Sequence, residues 1–272
     1  MIWDAFLRAL RGAGRGGKPA PRWERFEEAP ARLYAIGDVH GRVDLVRALE
    51  SSIVEDAQDV SSDKWLVYLG DYVSRGPQSA QVLDHLLKPP PDGFRRICLA
   101  GNHELMMLDF ISNRNVDGPW MRSGGIEALL SYGLSPQQLS RRGLCAPEFW
   151  STLQSYVPEE HLDFLRHLPN GVELPDYLLV HAGIRPGVSL ERQTIEDLTL
   201  SPGAFYGKER PSEKTVIHGH RIVEEVVRTG NRFDVDTGAY ATGRLSAVRL
   251  SRDGPPRILT QSGNAVINTL LK

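Results

Sequence analysis

The sequence predicts an α/β protein in which two mixed β-sheets pack against each other within one domain. Short apolar runs with β-branched residues recur along the chain, as in buried strands, and several lead into segments with helical spacing of apolar side chains. Helices separate the early strands but few separate the later ones, which is typical of mixed sheets. The length of 272 residues suffices for one large domain of this kind.

The composition excludes several classes of protein. Apolar residues make up 41% and charged residues 24% of the chain, as in ordinary globular proteins. A net charge of −2 gives no general attraction to nucleic acid or to an anionic membrane. The two cysteines, Cys98 and Cys145, lack the spacing of a metal site or a disulfide framework, so a cytoplasmic location is predicted. No apolar run is long enough for a transmembrane helix.

The first 25 residues differ from the rest and predict an amphipathic segment with a linker, ahead of one folded domain over residues 26–272. Within them, apolar residues with helical spacing lie beside arginines: Trp3, Phe6, Leu7, Leu10, Arg8, Arg11 and Arg15. One interpretation is that residues 1–20 make a weak contact with a membrane surface or a partner. The simpler interpretation is a frayed tail or a strip packed on its own domain.

A carboxylate and an imidazole follow the first predicted strand. The strand over residues 33–36 runs into residues 37–41 (GDVHG), and a helix is predicted from Val43 to Val54. Asp38 and His40 therefore lie in the loop between a strand and a helix, at the sheet edge where ligands bind. Taken alone, the Asp-x-His pair fits a helix cap or a turn equally well.

The same pattern recurs along the chain. A second strand over residues 64–69 ends in Gly70-Asp71, and a third over residues 96–100 ends in Gly101-Asn102. In each case glycine permits the turn and a polar side chain follows at the sheet edge.

Residues 112–170 interrupt this pattern, and we predict that they form a helical cap insertion over the site. After them, a strand over residues 177–180 leads into His181, and a strand over residues 215–217 leads into His218-Gly219-His220. Only one of the two histidines beside Gly219 is expected to point inward, and the spacing leaves open which one.

Five chain segments thus deliver oxygen and nitrogen donors and no thiolate, a set that suits Mn²⁺, Fe²⁺ or Zn²⁺. The donors exceed what one tetrahedral ion uses but suit two ions, about 3.5–4 Å apart, that share a carboxylate. Each residue has a structural alternative as a cap, a turn residue or a core histidine, but their joint occurrence favours a dinuclear centre. The predicted ligands are Asp38, His40, Asp71, Asn102, His181 and His220.

Two further residues are predicted to act beside the metals. His103 directly follows Asn102, so it can lie next to the ions without being a ligand and can give a proton to the leaving oxygen. Arg75 follows the Asp71 loop and can bind a phosphate group with two parallel hydrogen bonds.

The motifs resemble the phosphoprotein phosphatase family of calcineurin-like metallophosphoesterases. Residues 37–41, 70–76 and 101–104 are similar to the family signatures GDxHG, GDxxDRG and GNHE. The later His181-Ala182-Gly183 and Gly219-His220 match the family's remaining ligand histidines, which favours His220 over His218. Residues 120–125 and 236–240 resemble small bacterial and phage lambda-type protein phosphatases.

This resemblance covers residues 32–250 and implies a four-layer α/β/β/α sandwich with two catalytic metals. It implies that Asp38, His40 and Asp71 hold the first metal, and that Asp71, Asn102, His181 and His220 hold the second. It further implies phosphomonoester hydrolysis by direct attack of a hydroxide bound to the two metals, with Asp71, His103 and Arg75 as catalytic residues. Mn²⁺ is the expected metal, with Fe, Zn, Co or Ni as alternatives.

The chain departs from the family pattern at three places. Ser74 replaces the aspartate that orients the histidine of GNHE, so Asp236 or a water is needed as a substitute partner for His103. Ala100 stands where the phage enzyme has an arginine before GNHE. The Trp-x-Arg expected after residues 181–183 is missing, and four basic residues are candidates to compensate for its arginine: Arg185, Arg192, Lys208 and Arg221. The predicted substrate contacts are Arg75, Asn102 and Arg185.

The predicted function is a serine/threonine or dual-specificity protein phosphatase that acts on a phosphorylated protein or a small phosphoester. A diadenosine tetraphosphate hydrolase is the first alternative, favoured by Ser74 and opposed by the GNHE motif and residues 120–125. A metal-binding pseudophosphatase is the second. The absence of a basic stripe argues against a nuclease and against nucleic acid as a partner.

Overall fold

Two six-stranded β-sheets lie face to face in the computed structural model, which describes residues 20–61, 63–207, 211–252, 254–263 and 265–270. The strands in these ranges are β1 (Trp23–Arg25), β2 (Arg32–Ile36), β3 (Lys64–Tyr68), β4 (Phe94–Cys98), β5 (Gly171–Glu173), β6 (Tyr177–Val180), β7 (Thr215–His218), β8 (Val227–Thr229), β9 (Arg232–Asp234), β10 (Arg244–Ser251), β11 (Gly254–Ser262) and β12 (Ala265–Leu270).

Helices cover the outer faces of both sheets. The α-helices in the described ranges are α1 (Val43–Asp56), α2 (Ser79–Leu86), α3 (Asn102–Asn113), α4 (Ile126–Ser131), α5 (Arg141–Leu144), α6 (Phe149–Tyr156), α7 (Glu159–His167), α8 (Ile195–Leu200), α9 (Gly203–Tyr206) and α10 (Ala239–Thr242). A π-helical turn spans Met121–Gly125, and a 3₁₀ turn spans Leu190–Arg192. No helix within these ranges combines the length and the apolar content needed to cross a bilayer.

Each sheet combines three neighbouring parallel strands with antiparallel pairs. The first sheet has the order β12-β11-β10-β2-β3-β4, with β2, β3 and β4 parallel and β10 antiparallel to β2. The second has the order β1-β5-β6-β7-β9-β8, with β6, β7 and β9 parallel. Both sheets are mixed, as the sequence predicts.

Three apolar clusters fill the spaces between four layers. One lies between the first sheet and helices α1 to α7, including Leu49, Tyr68 and Phe110. A second lies between the two sheets, and a third lies between the second sheet and helices α8 and α9. The predicted α/β/β/α arrangement is therefore confirmed.

The N-terminal part of the described chain joins the second sheet. Strand β1 falls among the residues that the sequence assigned to a linker ending at residue 25, yet it pairs in parallel with β5. The guanidinium group of Arg22 also donates hydrogen bonds to main-chain carbonyl groups at the end of α7. These contacts extend the folded domain at least to Arg22, whereas the predicted amphipathic stripe lies outside the described residues.

The range predicted to form a cap, residues 112–170, holds the end of α3, the π-helical turn and helices α4 to α7, with no strand. Its buried side chains belong to the same apolar cluster as the helices on the first sheet. Among them is Trp120, which is 1% exposed.

Candidate metal centre

The residues that directly follow the parallel strands of both sheets lie close together. Strands β2, β3 and β4 lead to Asp38, Asp71 and Asn102, whereas β6 and β7 lead to His181 and His220. Because carboxyl ends of parallel strands share one edge of a sheet, the parallel portions of the two sheets converge on a common site. All six predicted ligands lie there.

Asp71 is at the centre of these donors. Its two carboxylate oxygens lie 3.4 Å from His40 Nε2 and 3.5 Å from His181 Nε2. His181 Nε2 is also 2.9 Å from Asn102 Oδ1 and 3.2 Å from His220 Nδ1. The donor atoms form two groups that share Asp71, one with His40 and His103 and the other with His181 and His220. A carboxylate common to both groups is the arrangement expected of a bridging ligand.

The orientation of two histidines is fixed by main-chain carbonyl groups. His40 Nδ1 donates to the carbonyl of Val73 at 3.0 Å, and His181 Nδ1 donates to the carbonyl of Leu69 at 3.0 Å. Since a carbonyl only accepts, the proton of each neutral ring lies on Nδ1. The Nε2 lone pairs that remain face Asp71 and can bind a metal.

Asp38 connects the two sheets. Its carboxylate oxygens accept the main-chain N–H of His220 at 3.1 and 3.2 Å. The chain must turn sharply here, because the ring of His218 lies on the opposite face of the second sheet, 5.0 Å from the ring of Phe205. His220, at φ +69°, is the histidine that reaches the other donors.

The electrostatics of the site favour bound cations. Burial, with Asp236 and Asp71 nearby, holds the pKa of Asp38 well above its usual range, and burial raises the pKa of Asp71 to about 7. Burial also lowers the pKa of His40 to about 3 and of His181 to about 4, so these rings are neutral donors. Buried carboxylates that repel one another, beside neutral imidazoles, fit divalent cations well.

Glu104 holds the loop that carries Asp71, a role the sequence analysis did not assign. Its carboxylate accepts the main-chain N–H groups of Gly101 at 2.9 Å, Asp71 at 2.8 Å, Tyr72 at 2.7 Å and Val73 at 3.2 Å. Glu104 is fully buried, and Asp71 has a φ of +54°. The sequence feature that marks Glu104 is its position as the last residue of the GNHE motif.

His103 lies against Asp71 and belongs to one of the two donor groups, so its role beside the metals, without being a ligand, stays a prediction. Its main-chain N–H donates to Asp71 Oδ1 at 3.0 Å, and its Nε2 is 3.9 Å from Asp71 Oδ2. Its Nδ1 is buried and has no hydrogen-bond partner among the described residues. Ser74 Oγ instead accepts the indole N–H of Trp120, and Asp236 accepts the N–H of Gly238. Neither Ser74, at the position of the family's aspartate, nor Asp236, the predicted substitute, therefore holds the His103 ring.

A cavity of about 120 Å³ opens onto these residues. It is lined by the donors His40, Asp71, Asn102 and His220 and by His103, Arg75, Asp236 and Tyr240, among others. Arg75 is exposed at this cavity. Its guanidinium group donates a hydrogen bond to the hydroxyl of Tyr240 and lies 4.9 Å from the centre of that ring. Residues 236–240 resemble the family in sequence, but no sequence pattern predicts the contact between Arg75 and Tyr240.

The structure does not bring Arg185 to this cavity. Its guanidinium group forms an ion pair with the buried carboxylate of Asp197 at 2.7 Å. Of the other candidates to compensate for the missing arginine, Arg192 is exposed on the 3₁₀ turn, and Arg221 lies 5.1 Å from the ring of Tyr206. Lys208 lies outside the described residues. A substrate contact by Arg185 remains a prediction from the sequence.

Comparisons with known proteins agree with this site. A family model described as calcineurin-like phosphoesterase matches residues 31–242. Serine/threonine-protein phosphatase 2 of Escherichia coli (strain K12) is 24% identical over 249 residues, which cover 85% of this chain and 99% of that protein. An asymmetrical bis(5'-nucleosyl)-tetraphosphatase of Anoxybacillus flavithermus is 23% identical over 235 residues, which cover 79% of this chain and 88% of that protein.

A third relative matches over a shorter range. A symmetrical bis(5'-nucleosyl)-tetraphosphatase of Coxiella burnetii is 32% identical over 176 residues, which cover 63% of this chain. The match spans about half of that protein's length, 48%.

Solved structures share the fold. A candidate diadenosine tetraphosphatase has a TM-score of 0.59 at 18% identity, covering 92% of this chain and 98% of its own. A cold-active protein tyrosine phosphatase has a TM-score of 0.55 at 16% identity, covering 91% and 80%. A protein serine/threonine phosphatase from Saccharomyces cerevisiae has a TM-score of 0.52 at 15% identity, covering 100% and 88%. With a family model that spans most of the chain and a matching set of buried donors, this chain belongs to the calcineurin-like phosphoesterases.

Proposed function

We propose that this protein is a metal-dependent phosphomonoesterase that removes phosphate from phosphoserine or phosphothreonine in proteins. The observation that carries the proposal is one cavity lined by four of the six predicted metal donors, by His103 and by the exposed Arg75. The protein phosphatase of E. coli supports this choice of substrate, because it aligns with this chain over nearly its whole length.

Each residue around the cavity has a distinct proposed role. Asp38, His40, Asp71, Asn102, His181 and His220 would hold two divalent cations, proposed to be Mn²⁺. When bound, such ions polarise a phosphoester and lower the pKa of water. Arg75 would bind phosphate oxygens through two parallel N–H groups.

His103 would give a proton to the leaving oxygen, but its environment opposes the charged form. Burial, together with His40 and Arg75, lowers the pKa of His103 well below its usual value. A bound phosphate dianion counteracts these effects, because a nearby negative charge favours the imidazolium. The ring is therefore proposed to carry its proton when substrate occupies the cavity.

A dinucleoside tetraphosphate hydrolase is the second candidate function. The observation that favours it is Ser74, whose hydroxyl group is bonded to Trp120 and which lacks the carboxylate of the protein phosphatase signature. Two of the relatives are bis(5'-nucleosyl)-tetraphosphatases. A cytoplasmic location and the absence of nucleic-acid partners remain predictions from composition.

The proposal is tested with metal-stripped protein resupplied with Mn²⁺. The substrates are p-nitrophenyl phosphate, a phosphopeptide and diadenosine tetraphosphate, with Asp38→Asn as the inactive variant and Asp92→Asn, an exposed substitution, as the matched control. Phosphopeptide turnover that needs Mn²⁺ and is lost only in Asp38→Asn is expected. Preference for the dinucleotide would favour the second candidate, and stoichiometric metal binding without turnover would indicate a pseudophosphatase.

A further inference from the structure

We infer that Trp120 is a positioning residue that holds Arg75 in its phosphate-binding place. It acts through a contact that we call the Trp120 clamp, formed by Ser74, Arg75, Trp120 and Gly124. The inference rests on the proposed function in one respect only, namely that Arg75 binds phosphate. Trp120 is not among the residues that line the cavity, so it acts on a bound substrate through a neighbour, and Arg75 is the cationic neighbour that lines the cavity.

The backbone that carries Arg75 needs an external constraint. Ser74 and Arg75 have φ angles of +76° and +69°, in the left-handed region that residues with a Cβ rarely adopt. Two such residues in succession cost free energy. A local hydrogen bond offsets part of this cost, because Ser79 Oγ accepts the main-chain N–H of Ser74 at 2.9 Å. A contact from elsewhere in the chain stabilises the conformation further.

The clamp supplies that contact with two hydrogen bonds. Ser74 Oγ accepts the indole N–H of Trp120 at 2.9 Å, and both side chains are almost completely buried. The carbonyl of Gly124 accepts the main-chain N–H of Arg75 at 3.2 Å. Only glycine fits at residue 124, because a Cβ atom there would lie 2.3 Å from Arg75 N and the residue has a φ of +98°.

Trp120 is itself held firmly. Its ring lies 5.0 Å from the ring of Phe110 on helix α3, and a Cβ atom on Gly125 would lie 2.8 Å from the indole. The π-helical turn Met121–Gly125 departs from helical geometry at Gly124, which aims the carbonyl of that residue at Arg75. π-Helical turns often occur at functional sites.

The position of the Arg75 guanidinium group depends on the same backbone conformation. Its guanidinium group reaches the hydroxyl and the ring face of Tyr240 on helix α10. If the backbone at residues 74 and 75 relaxes to negative φ, the side chain starts from a different direction and this contact is lost. The predicted result is weaker phosphate binding with an unchanged arrangement of the metal ligands.

The test measures the dissociation constant of inorganic phosphate for the full-length, Mn²⁺-loaded protein. Trp120→Phe keeps the ring and removes the N–H donor, and Ser74→Ala removes the acceptor. Loss of one buried hydrogen bond is expected to weaken phosphate binding about 3- to 10-fold. The variant with both substitutions is expected to bind as weakly as either single variant, because the two remove the same bond. Trp150→Phe, in the same cap and also packed on Phe110, is the matched control.

A second double-mutant cycle, with Trp120→Phe and Arg75→Ala, tests whether the effect of Trp120 on phosphate binding passes through Arg75. Arg75→Ala is expected to weaken phosphate binding strongly in the wild type and no further when Trp120→Phe is added. Mn²⁺ affinity is expected to be equal in all variants. Equal phosphate affinity in the wild type and Trp120→Phe, or losses from Trp120→Phe and Arg75→Ala that simply add, would overturn the inference. Because phosphate binding is measured without turnover, failure of the proposed phosphatase activity would appear separately, as a wild type that binds phosphate but hydrolyses none of the substrates.

Discussion

Asp38 Oδ1 lies 2.2 Å from the point that a Cβ atom on Gly219 would occupy. The glycine thus leaves room for a carboxylate from the other sheet, which in turn accepts the main-chain N–H of His220. Gly219 has no positive φ, so its lack of a side chain matters here for space and not for backbone conformation.

Gly219→Ala is therefore expected to displace Asp38 or His220 and to weaken Mn²⁺ binding by about 10- to 100-fold. Isothermal titration calorimetry with Mn²⁺ measures the change. Gly203→Ala is the control, since a Cβ atom there would contact nothing within 4 Å. Unchanged Mn²⁺ affinity in Gly219→Ala would show that the loop can move without loss of the site.

Glu104→Gln is expected to lower the free energy of unfolding by about 1–3 kcal/mol. The amide would direct an NH₂ group at main-chain donors that now bond to a carboxylate. Burial and the neighbouring Asp71 raise the pKa of Glu104 to about 8. The comparison is therefore made on Mn²⁺-loaded protein, in which bound cations would offset the Asp71 charge. Urea denaturation measures the loss. The exposed Glu55→Gln is expected to leave stability nearly unchanged, and an equal effect of both substitutions would contradict the role of Glu104.

Mn²⁺ affinity is expected to rise as the pH increases from about 6 to about 8. Burial raises the pKa of Asp71 to about 7, and a metal binds only the carboxylate form, so protons compete with Mn²⁺ at the lower pH. The histidine ligands do not add to this trend, because the pKa of His40 and of His220 is about 3. The slope is expected to approach about tenfold per pH unit for each proton displaced.

Calorimetric titrations at about pH 6, 7 and 8 measure this slope. A chelator of known pH dependence, titrated in the same buffers, calibrates the free Mn²⁺ concentration. Affinity that is constant or falls over this range would mean that the carboxylates are already ionised in the metal-free protein.

His103→Gln is expected to reduce turnover of a phosphoserine peptide by about 10²- to 10⁴-fold, the range for loss of a general acid. The loss on p-nitrophenyl phosphate is expected to be much smaller, because nitrophenolate leaves without a proton. Steady-state kinetics on both substrates measures the difference, with the exposed His167→Gln as control. Equal losses on the two substrates, or loss of bound Mn²⁺, would assign His103 a role other than proton donor.

The strand ends that build the site could be predicted because the signal is local. A glycine followed by a polar residue, after a short apolar run, places Asp38, Asp71 and Asn102 at the edge of a sheet. Parallel pairing then brings those edges together, and the predicted strands and the four-layer fold are confirmed. Even the choice of His220 over His218, open from spacing alone, agrees with the direction in which the rings point.

Features set by distant partners could not be predicted in this way. Ser74 was noted only as a departure from the family, since its bond to Trp120 joins residues 46 positions apart. The ion pair between Arg185 and the buried Asp197 is likewise a contact that no sequence pattern predicts. Strand β1 has three residues, two of them charged, and becomes a strand only because β5 offers an edge. Each of these features depends on a contact with a residue outside the short segment in which a local sequence pattern is recognised.

The bond between Asp38 and the chain at His220 means that the metals would sit across the seam between the two sheets. An ion bound by residues of both sheets would therefore stabilise the packing of one sheet on the other. Ligand linkage gives such an ion about 2.7 kcal/mol of stabilisation at a free concentration 100 times its dissociation constant. A cell's supply of divalent metal would therefore govern how long this protein survives proteolysis as well as whether it is active.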